Sequence, residues 1–431
     1  MLLAAFALVV AALQESAGAS PPPLALVGAR LITISGAEIQ SGILVVDGGV
    51  IAHVGPLDST PIPAGAVIRD VSGMVILPGL VDTHSHIGEV EGGDSSNPIQ
   101  PSVRVLDSID VRDPSFQRAQ AGGITTVNIM PGSGHLLSGQ TIYVKLREGR
   151  TIEECAIRTK DGAIAGGMKM ANGTNSRRDP PFPGTRAKSA ALVRERFIAA
   201  QEYARKMQDA DPEKRPARDL ALEALGECLS GERIVHHHTH RHDDILTVLR
   251  LREEFGLRVV LHHVSDAWKV ADEIARAGVP SSLIVIDSPG GKLEAMGLRW
   301  ESAAALTAAG GKIAFHTDDG ITDSRLFLRS AALAVRAGLA RETALAGLTL
   351  EAARMLDLGE RVGSLEVGKD ADFVLLSGDP LSIYSEVRET WVEGRKVFDR
   401  ADPADRLMAV GGPGAGSRFL TECCGGDEEV Q

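Results

Sequence analysis

The chain has 431 residues, of which 44% are hydrophobic, so it is long enough to bury one large core and a smaller one. Its formal net charge is -12 and no block of lysine and arginine stands out, which argues against nucleic acid and anionic membranes as partners. Four cysteines in a chain of this length do not make a disulfide framework. These properties favour a large soluble enzyme with a small-molecule substrate.

The first 19 residues predict a signal peptide. Leu2 to Leu13 form an apolar run that is too short to span a membrane, and Ala17-Gly18-Ala19 then supplies an A-x-A cleavage site. The basic residue that usually follows the initial methionine is missing. We expect cleavage after Ala19 and export to the periplasm or the medium, which N-terminal sequencing of the exported protein would check.

The remainder of the chain divides into three parts and a tail. Strand-like segments rich in turns, at 24–72 and 360–400, flank a region at 73–358 in which apolar strands alternate with amphipathic helices. "GILVVDGGVIAHVG" predicts a hairpin closed at Asp47-Gly48, and "WVEGRKVF" predicts another. We expect the flanking segments to meet in one small β domain. Residues 402–431 are rich in glycine and acidic residues and predict a disordered tail.

The central region contains eight candidate strands. They are "GMVIL" continued to His86, "ITTVNIM", "TIYVKL", "GGMKMA", "RIVHHH", "RVVLHH", "SLIVID" and "KIAFHT". Helix signals follow several of them, for example Asp243 and Asp244 at the start of one helix and Gly256 at its end. Eight such units predict a (β/α)8 barrel, in which the chemistry lies at the carboxyl ends of the strands.

One connection in this barrel is longer than the others. Between Met170 and Arg233 lie a loop rich in Gly, Asn, Arg and Pro and two helical stretches, at about 188–209 and 218–230. Such an insertion can overhang the site. Its arginines at 177, 178 and 186 either bind a substrate carboxylate or are ordinary solvated surface residues.

Metal-binding side chains end four of the predicted strands, in "DTHSH", "VHHHTH", "VLHH" and "FHTDD". His84 and His86 are two residues apart on a strand, so their side chains lie on one face and can hold one metal ion. A lone histidine on an apolar run is usually a core residue, but the joint pattern makes that reading improbable here.

The fifth and sixth strands leave the choice of ligand open. His236, His238 and His240 share one face if the strand continues, so any of them could bind the metal. On the next strand, His262 should point away from the site if His263 points into it.

"PGLVDTHSH", with the later "HTH", "HH" and "TD", resembles the amidohydrolase superfamily, and within it the imidazolonepropionase-like branch. The resemblance runs from about residue 24 to 400 and includes "GGMKMANGTN", "HTHRHDDIL" and "VGKDADFVLLSGDP". It implies a metal-bearing (β/α)8 barrel beside a small β-sandwich built from both chain ends. It also implies a homo-oligomer.

The resemblance assigns six metal ligands, and these imply a binuclear site with two zinc ions per chain. The matching positions are His84 and His86 on strand one, Lys169 on strand four, His238 on strand five, His263 on strand six and Asp318 on strand eight. In many relatives the position of Lys169 is a carboxylated lysine that bridges two metals. This register leaves His240 at the strand exit, facing the substrate or supporting a ligand. His135, in a Gly/Ser loop after strand two, reaches the substrate or is simply a loop histidine.

Bound zinc lowers the pKa of its water from about 15.7 towards about 7, and Asp318 would move the proton from that water to the leaving nitrogen. We therefore expect hydrolysis of an amide-type C–N bond by a metal-activated hydroxide, in a cyclic amide, an N-acyl amino acid or a dipeptide. The alternatives are a mononuclear deaminase or a lactone or ester hydrolase, and, in another class, an inactive metal-binding or scaffolding barrel. Asp318→Asn would abolish turnover but leave a structural role intact.

Overall fold

The computed structural model describes residues 21–88, 90, 93–94, 96–285 and 292–411. The predicted signal peptide and the last twenty residues of the predicted tail lie outside these ranges. Among the described helices, none has both the length and the apolar character that a membrane span requires.

The two ends of the chain share one eight-stranded sheet. Its strand order is β17-β16-β15-β5-β1-β2-β3, and β4 also pairs with β1. The strands are β1 (Leu24–Leu31), β2 (Ile39–Asp47), β3 (Val50–Pro56), β4 (Val67–Asp70), β5 (Val75–Pro78), β15 (Phe373–Leu376), β16 (Val387–Val392) and β17 (Arg395–Asp399). Because β5 pairs with both β1 and β15, the amino-terminal and carboxy-terminal segments form a continuous hydrogen-bonded surface.

This sheet encloses a hydrophobic core of its own. Leu26 and Leu44 from the amino-terminal strands belong to the same buried cluster as Phe373 and Trp391 from the carboxy-terminal strands. The rings of Phe373 and Trp391 stack with their centroids 5.4 Å apart. Apolar contacts therefore join the two chain ends in addition to the backbone hydrogen bonds.

Both predicted hairpins are present in the sheet. The turn between β2 and β3 consists of Gly48 and Gly49, with φ of 57° and 86°, and lies one residue later than expected because Asp47 still pairs with Val50. Two successive positive φ values are the signature of the tight turn that matches the twist of a hairpin.

The central region forms a TIM-barrel-like α/β fold from nine described strands. They are β6 (Leu80–Ser85), β7 (Ile124–Ile129), β8 (Leu137–Gln140), β9 (Ile142–Lys145), β10 (Met168–Ala171), β11 (Val235–Thr239), β12 (Val259–His263), β13 (Ser281–Leu283) and β14 (Ile313–Phe315). The hydrogen-bonded orders are β6-β7-β9 and β14-β13-β12-β11-β10-β8. Every residue of β6 and β7 is buried, as expected for parallel strands covered on both faces.

Two of the predicted barrel strands differ from expectation. The segment "TIYVKL" was expected as the third parallel strand, but it forms β9, which runs antiparallel to β7. Only Thr141 separates β9 from β8, and no crossover helix, which a parallel connection would need, lies between these two strands. "GMVIL" was expected to begin the first barrel strand, but Val75–Pro78 belongs to the other sheet. Gly79 connects the two sheets. A Cβ atom at this position would lie 2.2 Å from the Thr125 hydroxyl, so only glycine fits.

Helices cover the barrel and its long insertion. They are α1 (Pro114–Ala121), α2 (Ile152–Cys155), α3 (Arg186–Met207), α4 (Leu220–Leu229), α5 (His242–Phe255), α6 (Ala271–Ala277), α7 (Ser302–Ala308), α8 (Phe327–Arg336), α9 (Arg341–Leu348), α10 (Leu350–Arg354) and α11 (Pro403–Val410). The predicted stretches in the insertion are α3 and α4. Helices α5 and α6 end at Gly256 and Gly278, whose left-handed backbone terminates each helix.

The prediction of disorder from residue 402 is wrong for residues 403–410, which form α11. The side chain of Asp402 accepts hydrogen bonds from the backbone N–H groups of Ala404 and Asp405, and Pro403 occupies the first helical position. This cap and the contact of α11 with α1 outweigh the Gly-rich, acidic composition on which the prediction was based.

A buried ion pair joins the barrel to the segment that enters the eight-stranded sheet. Lys145, at the end of β9, lies 2.5 Å from Asp372 and 2.9 Å from Asp370, and the side chains of Lys145 and Asp372 are each 1% exposed. The second oxygen of Asp372 accepts the backbone N–H of Glu393. Removing one partner of such a pair leaves the other charge buried without compensation.

We therefore expect Lys145→Met to lower the free energy of unfolding by about 3–5 kcal/mol. Thermal and urea unfolding of purified protein measure the change. Arg104→Ala serves as the control, because Arg104 and Asp107 form an exposed pair and its loss should cost less than about 1 kcal/mol. Equal stability of the two variants would contradict the prediction.

Candidate metal centre

The six expected ligands lie together at the carboxyl ends of the barrel strands. His84 and His86 come from the end of β6, Lys169 from β10, His238 from β11, His263 from β12 and Asp318 from just beyond β14. Five of these strands therefore contribute to one site, as the strand-end pattern of the sequence indicated.

Three of the ligand atoms converge on one point. The Nε2 atoms of His84 and His86 are 3.3 Å apart, and Oδ1 of Asp318 lies 3.3 Å from the first and 3.0 Å from the second. Tetrahedral zinc with ligand distances of about 2.0–2.1 Å requires its ligand atoms to be separated by roughly 3.3 Å. The spacing of these three atoms therefore fits a divalent ion.

The backbone leaves its strand conformation at two of these residues. His263 and Asp318 have φ of 70° and 51°, in the left-handed region that non-glycine residues rarely adopt. The backbone N–H of Asp318 donates to the carbonyl oxygen of His84 at 2.9 Å, which ties the end of β14 to the end of β6. Such conformations cost about 1–3 kcal/mol each and are concentrated at functional sites.

Asp82 connects the first and last barrel strands below the metal ligands. Its fully buried carboxylate accepts hydrogen bonds from the N–H and the hydroxyl of Thr317, at 3.1 and 2.5 Å, and from the N–H of His84 at 3.2 Å. Burial raises the pKa of Asp82 to about 7, against the opposing effect of these hydrogen bonds. Asp82 thus holds the backbone that carries both His84 and Asp318.

Lys169 is completely buried within this cluster. Its Nζ lies 2.9 Å from Nε2 of His84 and 3.0 Å from the sulfur of Met130. Burial lowers its pKa to about 7, although the nearby charge of Asp318 acts in the opposite direction. A substantial fraction of the amine is therefore neutral at neutral pH, unlike a solvated lysine.

His238 and His263 form the second part of the cluster. Their ring centroids are 4.4 Å apart, and both rings are buried. Neither ring nitrogen of His238, nor Nε2 of His263, has a hydrogen-bond partner among the described residues. Buried polar atoms normally have partners, and a metal ion would satisfy these nitrogens.

Burial keeps the imidazoles of the cluster in their neutral form. Together with the charge of Lys169, it holds the pKa values of His84, His238 and His263 well below the usual range. Burial also raises the pKa of Asp318, but the hydrogen bond from His86 and the charges around it outweigh this effect, so its pKa lies well below that of a free carboxyl. Neutral imidazole and ionised carboxylate are the forms that bind metal.

The expectation that His262 points away from the site is wrong. Its ring is fully buried with its centroid 5.0 Å from that of His84, and its Nε2 lies 3.0 Å from Nδ1 of His236. The simple alternation of faces fails here because His263 leaves the extended conformation. His236 in turn lies 2.9 Å from the hydroxyl of Tyr143, so these side chains form a buried hydrogen-bonded chain behind the cluster.

His316 belongs to the cluster although the sequence reading assigned it no role. Its ring stacks on that of His84 at 4.9 Å, its Nε2 lies 3.1 Å from Nδ1 of His263, and its Nδ1 lies 2.8 Å from the hydroxyl of Ser282. Burial lowers its pKa to about 3. The signal was present, since His316 is two residues before Asp318 on the same strand end.

The remaining candidates lie in the loops around the cluster, except Arg186, which is the first residue of α3. Arg186 pairs with Asp244, with Nε to Oδ2 at 2.8 Å, and with Glu294. Its guanidinium therefore supports these two side chains and is not positioned to bind a substrate carboxylate. The Nε of Arg177 donates to the carbonyl oxygen of Gly173, within the loop after β10.

Arg178 and His135 both pack on Phe182, away from the ligand atoms. The guanidinium carbon of Arg178 lies 3.7 Å from the centre of the Phe182 ring, and the centroid of the His135 ring is 5.4 Å from it. Nε2 of His135 is hydrogen-bonded to the carbonyl oxygen of Asp94. These contacts join the loop after β7 to the loop after β10, and they place neither residue in the ligand cluster.

Known proteins resemble this chain in sequence and in fold. The model of the amidohydrolase family matches residues 182–398. The solved amidohydrolase of Thermotoga maritima MSB8 is 32% identical, covers 88% of this chain and all of that one, and superposes with a TM-score of 0.81. The imidazolonepropionase of Stenotrophomonas maltophilia is 25% identical over 80% of this chain and 89% of its own length. Amidohydrolase tasK of Hapsidospora irregularis is 27% identical over 83% of this chain but only 40% of its own length.

The chain therefore belongs to the amidohydrolase family. It is an enzyme of the metal-dependent hydrolase type, and the clusters of histidine and aspartate described above are its candidate metal sites.

Asp82 offers a test of how the centre is supported. We expect Asp82→Ala to cost about 1–3 kcal/mol of unfolding free energy for each N–H that it leaves unpaired, and to reduce the metal bound per chain. Asp82→Asn retains one acceptor oxygen and should be affected less. Unfolding curves and elemental analysis measure both effects, and a fully stable, fully metallated Asp82→Ala would refute the supporting role.

Proposed function

We propose that this enzyme hydrolyses amide-type C–N bonds with two divalent ions, zinc in particular, bound at the carboxyl ends of the barrel strands. The observation that carries the proposal is the convergence of the two Nε2 atoms of His84 and His86 with Oδ1 of Asp318 at 3.0–3.3 Å. Nitrogen and oxygen donors in this arrangement suit zinc better than hard cations such as magnesium.

Lys169, His238 and His263 would hold the second ion. Three unpaired nitrogens on the two histidines support this assignment. A lysine amine is a poor ligand while protonated, but the depressed pKa of Lys169 favours addition of carbon dioxide to its neutral amine, with loss of one proton. The resulting carbamate is an anion with two oxygens, which is suited to bridging two metal ions.

Asp318 is the residue that we assign to proton transfer. Divalent ions bound at this site would polarise the substrate carbonyl and make water a sufficiently strong acid at neutral pH. The low pKa of Asp318 keeps its carboxylate ionised, so it can accept a proton from the attacking water. It then returns that proton to the leaving nitrogen as the C–N bond breaks.

The charges around the centre favour a substrate with a carboxylate. The exposed Lys292 acts electrostatically on Lys169, His238 and His240, and Arg177 lies in the loop that follows β10. These cations would attract an anion towards the cluster. Among the expected substrates, N-acyl amino acids and dipeptides carry such a group beside the scissile bond.

Metal content tests the binuclear centre directly. We expect close to two divalent ions per chain in protein purified without chelators, and the loss of about one ion in Lys169→Ala. Elemental analysis of both proteins gives the ratio, with Lys188→Ala as a control on the exposed face of α3. Unchanged metal content in Lys169→Ala would exclude the lysine as a ligand.

Activity tests the proton-transfer role. Across a panel of N-acyl amino acids, dipeptides and cyclic amides, we expect Asp318→Asn to lower kcat/KM for the best substrate by about 10²–10⁴-fold. Asp107→Asn, at an exposed position, should leave kcat/KM unchanged. Wild-type rates in metal-replete Asp318→Asn would rule out the mechanism, and an inactive wild type on the whole panel would rule out the substrate class.

A further inference from the structure

Three buried side chains, His238, His240 and Glu294, bring potential ligand atoms together beside the binuclear centre. One nitrogen of each histidine and one oxygen of the carboxylate lie within 4.8 Å of one another. Neither His240 nor Glu294 is among the six ligands assigned above. Glu294 follows β13 along the chain, whereas both histidines belong to the end of β11.

His240 offers this group a single nitrogen. Its Nδ1 lies 2.8 Å from the hydroxyl of Ser265, while its Nε2 is buried and has no partner within the described part of the chain. A histidine fixed through one nitrogen and free at the other is the usual arrangement of a metal ligand.

Glu294 is fixed in the same way. Its Oε2 accepts the backbone N–H of Thr174 at 2.7 Å and lies 3.5 Å from Nη2 of Arg186, while Oε1 is buried and has no partner in the described ranges. Gly173 packs so closely that a Cβ there would lie 2.6 Å from Oε2. The carboxylate is therefore held by one oxygen, and only the other remains available.

His238 can serve this group without leaving the binuclear centre. Both of its ring nitrogens are unpaired among the described residues, so the ring can bridge two ions as an imidazolate once its remaining N–H proton is released to solvent. Its ring centroid lies 4.6 Å from that of His240 and 4.4 Å from that of His263. His238 therefore lies between His240 of this group and His263 of the binuclear centre.

The unpaired atoms carry an energetic cost that a bound cation would remove. A buried polar atom without a partner destabilises the fold, and both His240 Nε2 and Glu294 Oε1 are of this kind. Two histidines and one carboxylate form a recognised zinc donor set that leaves one position open.

We propose that His238, His240 and Glu294 bind a divalent transition-metal ion of the zinc class, at a site separate from the one formed by His84, His86 and Asp318. Ser265, Thr174 and Arg186 orient its ligands from behind. The open coordination position would be available to water or to a polar group of the substrate.

The test is metal stoichiometry in paired variants. With zinc added in excess as the probe, we expect the wild type to bind a third ion beyond the two of the binuclear centre. Glu294→Gln and His240→Gln should each bind about one ion fewer, while Glu301→Gln, at an exposed position, retains the full number. Ser265→Ala should weaken that ion by about 10–100-fold. Wild-type stoichiometry and affinity in both ligand variants would overturn the proposal.

A double variant that removes two ligands of the proposed hydrolytic centre tests this site independently. In His86→Ala/Asp318→Asn, cobalt titration followed by visible absorption should still detect an ion that disappears when Glu294→Gln is added. If His86→Ala/Asp318→Asn changes no metal content but Glu294→Gln does, the hydrolytic centre is wrong and this site stands. Circular dichroism confirms folding, and if Glu294→Gln does not fold, His240→Gln decides the outcome.

Discussion

Desolvation of imidazole at the carboxyl end of the barrel is the constraint on which the site depends. Histidines that are packed together away from water cannot all be protonated. Each buried nitrogen without a hydrogen-bond partner also costs free energy. The low pKa values of His84, His238 and His263 and the depressed pKa of Lys169 follow from this one condition. A low-dielectric pocket lined with neutral nitrogens and one carboxylate is an environment that selects a divalent cation.

The support for this pocket comes from outside it. Asp82 secures the backbone of the first and last barrel strands, and the chain of Tyr143, His236 and His262 fills the space behind the ligands. Farther away, the buried Lys145 fixes the barrel to the segment that enters the eight-stranded sheet. The carboxylate of Asp82 and the amine of Lys145 have hydrogen-bond or ion-pair partners, whereas both ring nitrogens of His238 and Nε2 of His263 have none among the described residues.

Much of the site could be predicted because strand geometry is regular. Alternation along β6 places His84 and His86 on one face, and the carboxyl ends of neighbouring parallel strands meet at one end of the barrel. The prediction fails where the backbone departs from that regularity, as at His262. It also fails for Glu294, which lies in an irregular connection with no periodic pattern to relate it to His240. The reversal of β9 was missed because an apolar strand reads the same in either direction.

The hydrogen bonds around Asp318 have a consequence for how the molecule is made. His86 and Asp318 are separated by 232 positions in the sequence, yet their side chains belong to the same ligand group. During synthesis, His84 and His86 leave the ribosome long before Asp318 exists, so the early chain can hold only an incomplete binding site. A metal ion that joins these residues would act as a cross-link between the first and last strands of the barrel. Metallation would then be a late event that reports completion of the barrel.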